Sequence, residues 1–401
     1  MKSNYKRIGD CIQLVDERNT DMKVKDLLGL SISKEFIPSV ANIVGTDLKK
    51  YKIIRKNQFA CSTMQVRRDK KMPVALLKNF DEAIISAAYP VFEVIDTEVI
   101  LPEYLMMWFR RSEFDREACF YAIGGVRGSI EWEDFCNMQL PVPSITKQRE
   151  IVTEFNVLID RINMNNNIFK KLEETAQAIF KQWFLDFEFP NENGEPYSSN
   201  GGEMEFNKDI NKDIPKGWKV GKLKDIALLA NDKISIEKLT TKNYISTENM
   251  LPARGGVVEI EKLPDVNKVN EFHVGDTLIS NIRPYFKKIW LANFDGGCSN
   301  DVLCFKIIRD IFPEYLYYLL ERDDFFDYVM AGSKGTKMPR GDKNWIMEYP
   351  ILLANGNLLK KFIKILSPLN SMKNNIKQET VLLQSLSNIL LSKLATMEEV
   401  V

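Results

Sequence analysis

A chain of 401 residues is too long for one ordinary domain and suggests two or three. With 45% hydrophobic and 27% charged residues it has the balance of a globular chain, which excludes bulk disorder. Its 55 Lys and Arg residues equal its 55 Asp and Glu residues, so coating of nucleic acid through global charge is excluded and any such binding must use local basic patches.

The one histidine, His273, excludes a His-rich metal site. Cys11, Cys61, Cys119, Cys136, Cys298 and Cys304 form no CxxC pair. Scattered in this way they are expected to be reduced and mostly buried, as in a cytoplasmic protein. The segment MKSNYKRIGD has no apolar core for export, and no run of about 18 uncharged apolar residues is present to span a membrane.

Residues 1–145 read as a mixed α+β unit, with short runs such as Val91-Phe92-Glu93-Val94-Ile95. A helix is predicted from Pro102 to Phe114, because Pro at its start and Glu103 next suit a first turn. Residues 146–188 hold a long helix, free of Pro and Gly from Ile151 to Asp186. Phe155, Ile162, Phe169, Ala176 and Trp183 recur by seven; Ile151, Leu158, Leu172 and Ile179 precede them by four, with Asn165 the polar member. Residues 189–214, rich in Gly, Asn, Ser and Lys, read as a solvated linker.

A second mixed unit, residues 215–352, opens with Pro215-Lys216-Gly217-Trp218. It contains the strand-like run Leu303-Cys304-Phe305-Lys306-Ile307 and a helix predicted from Pro313 to Phe326. Residues 353–401 form the second long helix. Phe362, Leu369, Ile376, Leu383 and Leu390 make one series; Leu358, Ile365, Met372 and Leu386 make the other, with Glu379 polar. Pro368 predicts a kink or restart there.

The chain is an internal repeat. Pro102-Glu103-Tyr104-Leu105 recurs as Pro313-Glu314-Tyr315-Leu316. Ile8, Asp10, Cys11 and Leu14 align with Leu223, Asp225, Ile226 and Leu229; Ser86 aligns with Ser299, and Leu140-Pro141 with Tyr349-Pro350. Phe155, Ile162 and Phe169 align with Phe362, Leu369 and Ile376. One mixed unit and one long helix are thus used twice. The expected fold is α+β, two repeated units joined by two long antiparallel helices in a coiled-coil rod. The expected seam is Phe155, Ile162, Asn165, Phe169, Leu172 and Trp183 against Phe362, Leu369, Ile376, Glu379, Leu383 and Leu390. Pairing Phe169 with Ile376 places Asn165 near Glu379 and Thr380, and meeting polar residues fix register.

Enzymatic signatures are sparse. No GxxxxGK[ST], HExxH, GxSxG or Cys/His zinc cluster occurs, nor the Asn-Pro-Pro-aromatic tetrapeptide of base methyltransferases. Ile123-Gly124-Gly125-Val126-Arg127-Gly128 lacks dinucleotide-binding spacing. His273 reads as an ordinary partly buried histidine. The expected catalytic and metal-ligating set in this chain is empty.

Basic residues instead cluster at matched places. Arg67, Arg68, Lys70 and Lys71 correspond roughly to Arg283, Lys287 and Lys288. After the short helix come Arg127 and Ser129 among glycines, and in the other unit Lys334, Thr336, Lys337 and Arg340. Glycine lets backbone approach phosphates, hydroxyls bond phosphate oxygens, and Arg can read guanine edges. Two such readers on a helix of roughly 54 Å would span successive major-groove faces about 34–36 Å apart. The expected ligand is a duplex with two different half-sites around an unread gap. A coiled-coil scaffold that binds proteins without reading DNA is the alternative.

The sequence resembles the specificity subunits of type I restriction–modification systems. The resemblance rests on Leu140-Pro141-Val142-Pro143 leading to Lys147-Gln148-Arg149-Glu150-Ile151, on Ile179-Phe180-Lys181-Gln182-Trp183-Phe184, on Ile214-Pro215-Lys216-Gly217-Trp218 and on Ile279-Ser280-Asn281-Ile282-Arg283-Pro284. The second unit has Asn357-Leu358-Leu359-Lys360 where the first has Gln-Arg-Glu-Ile; the first has Met64-Gln65-Val66-Arg67 where the second has Arg-Pro. The resemblance implies two target recognition domains, no catalysis in this chain, and docking of two modification subunits on the helices. It also implies restriction subunits that translocate and cleave. S-adenosylmethionine, ATP and Mg are expected on those partners, none in this chain.

Overall fold

The structure is a computed structural model that describes residues 4–39, 46–125, 128–308 and 311–396. The chain divides into two compact units, residues 1–167 with 376–401, and residues 168–375. Each is built around a four-stranded antiparallel sheet and a share of both long helices.

In the first unit, strands β1 (Ile12–Val15), β2 (Phe59–Cys61), β3 (Val74–Leu76) and β4 (Val91–Val94) form an antiparallel sheet in the order β1-β4-β2-β3. Phe59 pairs with Phe92 in register, and their rings stack at 5.0 Å. A hairpin of Leu28–Leu30 with Phe36–Pro38 and a pair of Lys52–Arg55 with Glu82–Ile85 lie beside it, and Tyr5–Arg7 pairs with Gln139–Pro141, as Lys219–Lys222 pairs with Pro350–Leu353 in the second unit. In the second unit, β5 (Ala227–Leu229), β6 (Thr277–Ser280), β7 (Ile289–Leu291) and β8 (Val302–Ile307) repeat the arrangement as β5-β8-β6-β7. The strand order recurs, so the repeat seen in letters is a repeat in hydrogen bonding.

The helix predicted from Pro102 to Phe114 is two helices, α1 (Pro102–Phe109) and α2 (Ser112–Tyr121). Its counterpart is α4 (Pro313–Leu320) and α5 (Asp323–Ala331). Arg111 and Arg322 are extended, with ψ of 142° and 152°, and interrupt each run. Acidic residues open the new helix, Glu113 and Asp115 in one and Asp323 and Asp324 in the other, where the macrodipole favours them.

Both breaks are capped by a cation with positive φ. Lys34, at φ 65°, donates its ammonium to the Phe109 carbonyl and pairs with Asp115 at 2.8 Å, 5.0 Å from the Phe114 ring centre. Arg254, at φ 61°, donates to the Glu321 carbonyl at 2.7 Å and pairs with Asp323, 5.9 Å from the Phe326 ring centre. Burial pulls the Lys34 ammonium below its ordinary pKa, and Asp115 opposes that pull.

Helix α3 runs over Ile145–Phe184, six residues earlier at its start than the seven-residue repeat suggests. Gln148 explains the early start. Fully buried, it accepts from the Leu101 N–H at 2.9 Å and donates to the Val99 and Pro143 carbonyls at 2.8 Å each. It thereby ties the start of α1 to the start of α3. Helix α6 runs over Gly356–Lys393 and continues through Pro368 without a restart.

Within the first unit, α3 residues Ile151, Val152 and Phe155 share a core with Leu391 and Leu394. Within the second, Phe180, Trp183 and Phe184 pack around Phe362 at ring distances of 6.0, 5.9 and 4.9 Å. In each unit the two helices therefore run antiparallel. Asn165 donates to Glu379 at 3.1 Å and to the Thr380 hydroxyl at 3.4 Å, while Arg161 clasps the same Glu379 carboxylate at 2.9 and 3.1 Å.

Of the seam residues, Phe155, Ile162, Asn165, Trp183, Phe362 and Ile376 are buried; Leu172, Leu369, Glu379, Leu383 and Leu390 are half-buried. Phe169 is exposed. The second row of α6 differs from the expected one after Leu358, which is buried. Ile365, Met372 and Leu386 are exposed, and the buried row lies one residue on, at Leu359, Leu366, Ser387 and Leu394. Three residues, not four, separate that row from Phe362, Leu369 and Leu390.

Residues 189–214 are not a bare linker. They carry a hairpin of Met204–Asn207 with Lys212–Pro215, and Ile214 is buried. Phe189 stacks on Tyr197 at 4.6 Å and on Trp218 at 5.6 Å, so three rings hold the segment to its own unit.

Candidate nucleic-acid interface

Between β2 and β3 the first unit inserts a one-turn helix, Val66–Asp69, flanked by two left-handed residues, Gln65 at φ 64° and Lys70 at φ 52°. Between β6 and β7 the second unit inserts a 3-10 turn, Pro284–Phe286, flanked by Arg283 at φ 51° and Lys287 at φ 50°. Non-glycine residues are rare in that region. The strain recurs at matched strand ends, and each turn is pinned by one buried residue, Val66 or Pro284.

Each turn meets the loop that follows the paired helices. In the first unit that loop closes between Ile123 and Ser129, with backbone bonds of 2.8 and 2.9 Å. Arg67 holds it by donating to the Ala122 carbonyl at 2.7 Å and the Gly124 carbonyl at 3.2 Å. Gly128, at φ 30°, must be glycine there, since a Cβ would lie 2.7 Å from the Arg67 Cβ. In the second unit the loop closes between Lys334 and Arg340, and Arg340 also bridges to Ile282. The Arg283 N–H donates to the Pro339 carbonyl at 2.8 Å. Loop and turn are therefore one surface in each unit.

The cations on these surfaces are unequal. Arg68 pairs with Asp69 at 2.6 Å, while Lys70 and Lys71 are exposed and without an ion-pair partner among the described residues. Arg127 lies outside the described residues, and Ser129 sits half-buried at the loop closure. Lys287 pairs with Asp323 at 2.7 Å; with Arg254 it pulls that carboxyl down to about 2. Lys288 donates to the Thr247 carbonyl at 2.6 Å, and burial lowers its pKa. These two lysines brace the turn. Lys334 pairs with Asp342 at 2.8 Å and Arg340 with Asp301 at 3.4 Å, both near solvent. Thr336 and Lys337 are exposed, and Lys337 has no ion-pair partner among the described residues. The Arg283 Nε is buried without a hydrogen-bond partner.

Sequence reasoning missed three features. Arg254 and Lys34 carry no pattern around them, because their roles come from turns that reach across the fold. Tyr285 and Phe286 lie among the basic residues without joining their pattern, and are 48% and 39% exposed. His273 bonds through its backbone N–H to Asp276 at 2.8 Å and lies on the opposite strand connection, apart from the basic turn. No group of three or more His, Cys, Asp or Glu residues is arranged to hold a metal among the described residues. No helix of the described residues is long and apolar enough to cross a membrane.

No family model matches the chain. The chain is similar to the type I restriction enzyme MjaIX specificity subunit of Methanocaldococcus jannaschii, 24% identical over 327 residues, which cover 75% of this chain and 70% of that one. It is similar to the type I restriction enzyme EcoDI specificity subunit of Escherichia coli, 23% identical over 283 residues, 66% of this chain and 62% of that one. In fold it is similar to the type I restriction-modification system S subunit from M. genitalium, with a TM-score of 0.52 at 13% identity, covering 99% of this chain and 97% of that one. The chain is thus similar to type I restriction specificity subunits along two thirds to three quarters of its length.

Proposed function

We propose that this chain is the DNA-reading specificity subunit of a cytoplasmic type I restriction–modification complex. The observation that carries the proposal is the recurrence, in both repeats, of a strained basic turn hydrogen-bonded to a glycine-containing loop. A matched strain in duplicated domains is kept by use, since left-handed non-glycine residues cost of order 1 kcal/mol each. Residues 1–145 and 215–352 serve as two target recognition domains, and each reads one half of a bipartite duplex. The long helices, residues 146–188 and 353–401, pair as a coiled-coil rod that sets the gap, with residues 189–214 between.

The chain itself carries no catalysis in this reading. Two modification subunits dock on the helices, use S-adenosylmethionine, and flip adenine out of the duplex to reach it. Restriction subunits bring ATP and Mg. The apolar residues that α6 leaves exposed, Val381, Leu382 and Leu386 in one unit and Ile365 and Met372 in the other, suit such docking.

The test is selection of duplexes from a randomised pool by the chain with and without modification subunits, followed by gel shift. Two short fixed motifs separated by a constant gap are expected. Recovery of random sequence, with protein partners still bound, would instead support a scaffold that reads no DNA.

A further inference from the structure

We propose that Tyr285 and Phe286 form an aromatic wedge that enters the duplex and unstacks one base step when the second unit binds DNA. The inference rests on the DNA-reading proposal and goes beyond it, from contact to deformation. Apolar side chains inserted between base steps kink a duplex and widen the surface it shares with protein.

The two rings are 4.7 Å apart, tilted by 55°, and both stand exposed at the tip of the Pro284–Phe286 turn. A wedge must not yield, and this tip is held on every side. Pro284 is buried beneath it, and Arg283 and Lys287 fix its ends in left-handed conformations. The Ala253 N–H donates to the Phe286 carbonyl at 2.8 Å, and the Arg254 N–H donates to the Lys287 carbonyl at 2.9 Å. Lys287 is tied to Asp323.

Charge decides what the rings face. The neighbouring loop, joined to the base of the turn through the Arg283–Pro339 bond and the Ile282–Arg340 bridge, brings exposed Lys337 and Arg340 to the same surface. Arg340 holds Asp301 only at 3.4 Å and near solvent, where an ion pair is weak and can exchange for phosphate. Exposed aromatics on one surface with exchangeable cations suit a polyanion with stacked bases, and among ligands only nucleic acid offers both. At the matching positions the first unit has Arg67 and Arg68, one tied to its loop and one to Asp69. The second unit alone carries the wedge on its turn.

The test uses the full chain and a 30-base-pair duplex chosen by selection against it, with 2-aminopurine placed in turn at each adenine position. The wild type is expected to raise fluorescence several-fold at one step in one half-site. Y285A/F286A should abolish that rise and weaken binding about tenfold, while hydroxyl-radical protection of the backbone in both halves is retained. Y285L/F286L should keep part of the rise. A silent duplex under a full footprint would overturn the wedge and leave DNA reading standing, as would an unchanged rise with the alanine variant. Loss of the footprint with the unaltered chain would overturn both.

Discussion

Tyr104 and Tyr315, equivalent residues of the two repeats, make the same hydrogen bond. The Tyr104 hydroxyl donates to the Pro141 carbonyl at 3.0 Å and the Tyr315 hydroxyl to the Leu352 carbonyl at 2.9 Å, each across 37 residues. Each bond ties the first helix after the sheet to the strand that leads into a long helix. Each unit is therefore closed by the same contact, made within its own residues.

Modularity makes the binding prediction one-sided. Arg283→Ala, or Lys337→Ala with Arg340→Ala, should weaken reading of one half-site by about 1–3 kcal/mol, with the other half unaffected. Gel shifts on duplexes mutated in one half at a time measure this. Equal loss in both halves contradicts two independent readers.

Gap length should follow the helices. Four residues inserted into α3 between Ile151 and Asp186 lengthen it by roughly 6 Å. Selection with such a variant should return the same two motifs at a new separation. Altered motifs, with the old gap retained, would place the spacing elsewhere.

Asn165 is nearly fully buried, and its carbonyl oxygen accepts no hydrogen bond. Asn165→Leu should therefore leave stability unchanged or raise it by about 1 kcal/mol. Register should loosen, since Glu379 keeps Arg161 but loses its second donor. Spin labels at exposed positions 157 and 382, both in the first unit, should show a broader distance distribution in the variant. An unbroadened distribution would remove Asn165 from register control.

The Lys34–Asp115 pair is buried, and Asp115 also accepts from the Met72 N–H at 3.0 Å. Asp115→Asn should destabilise the first unit by about 3–5 kcal/mol, because it strands a buried ammonium. The counterpart Asp323 is largely exposed, so Asp323→Asn should lose no more than about 1 kcal/mol. Chemical denaturation of the two variants compares them directly.

Glu321 predicts how stability responds to pH. Burial, with Glu173 adding repulsion, pushes its carboxyl up to about 8 from an ordinary value of 4.5. A raised carboxyl keeps its proton in the folded state while the unfolded chain releases it. Stability is therefore lost as pH rises between those two values, with a slope of up to about 1.4 kcal/mol per pH unit, and levels off above the higher one. Glu321→Gln should flatten that slope in melting curves taken from pH 5 to 9. A slope shared by wild type and variant would assign it to other groups.

How much of this could be read from letters depends on what each residue touches. The repeat was legible because Pro102-Glu103-Tyr104-Leu105 and its counterpart serve local helix starts, and local needs leave local patterns. The meeting of Asn165 with Glu379 was legible too, since a polar residue in a seven-residue series has few places to go. The buried row of α6 was not. Hydrophobicity points to Ile365 and Met372, whereas the buried side includes Lys373, whose ammonium bonds Glu173 at 2.7 Å and the Tyr318 hydroxyl at 3.2 Å. A polar network satisfied inside the fold looks like a surface in sequence. The helix breaks at Arg111 and Arg322 escaped for a related reason, since their caps, Lys34 and Arg254, lie far away along the chain.

The basic turns have a consequence for how new targets could be acquired. Each is clamped at both ends by left-handed residues, so beyond buried Val66 or Pro284 and the Arg67 bonds to its loop, the side chains between the clamps bear little of the fold's stability. Val66–Asp69 and Pro284–Phe286 differ in length, charge and aromatic content, yet the same four-strand order holds both. Such a turn behaves like interchangeable type in a fixed frame. Exchanging the few exposed residues there should rewrite one half of the recognised sequence and leave the frame unmoved.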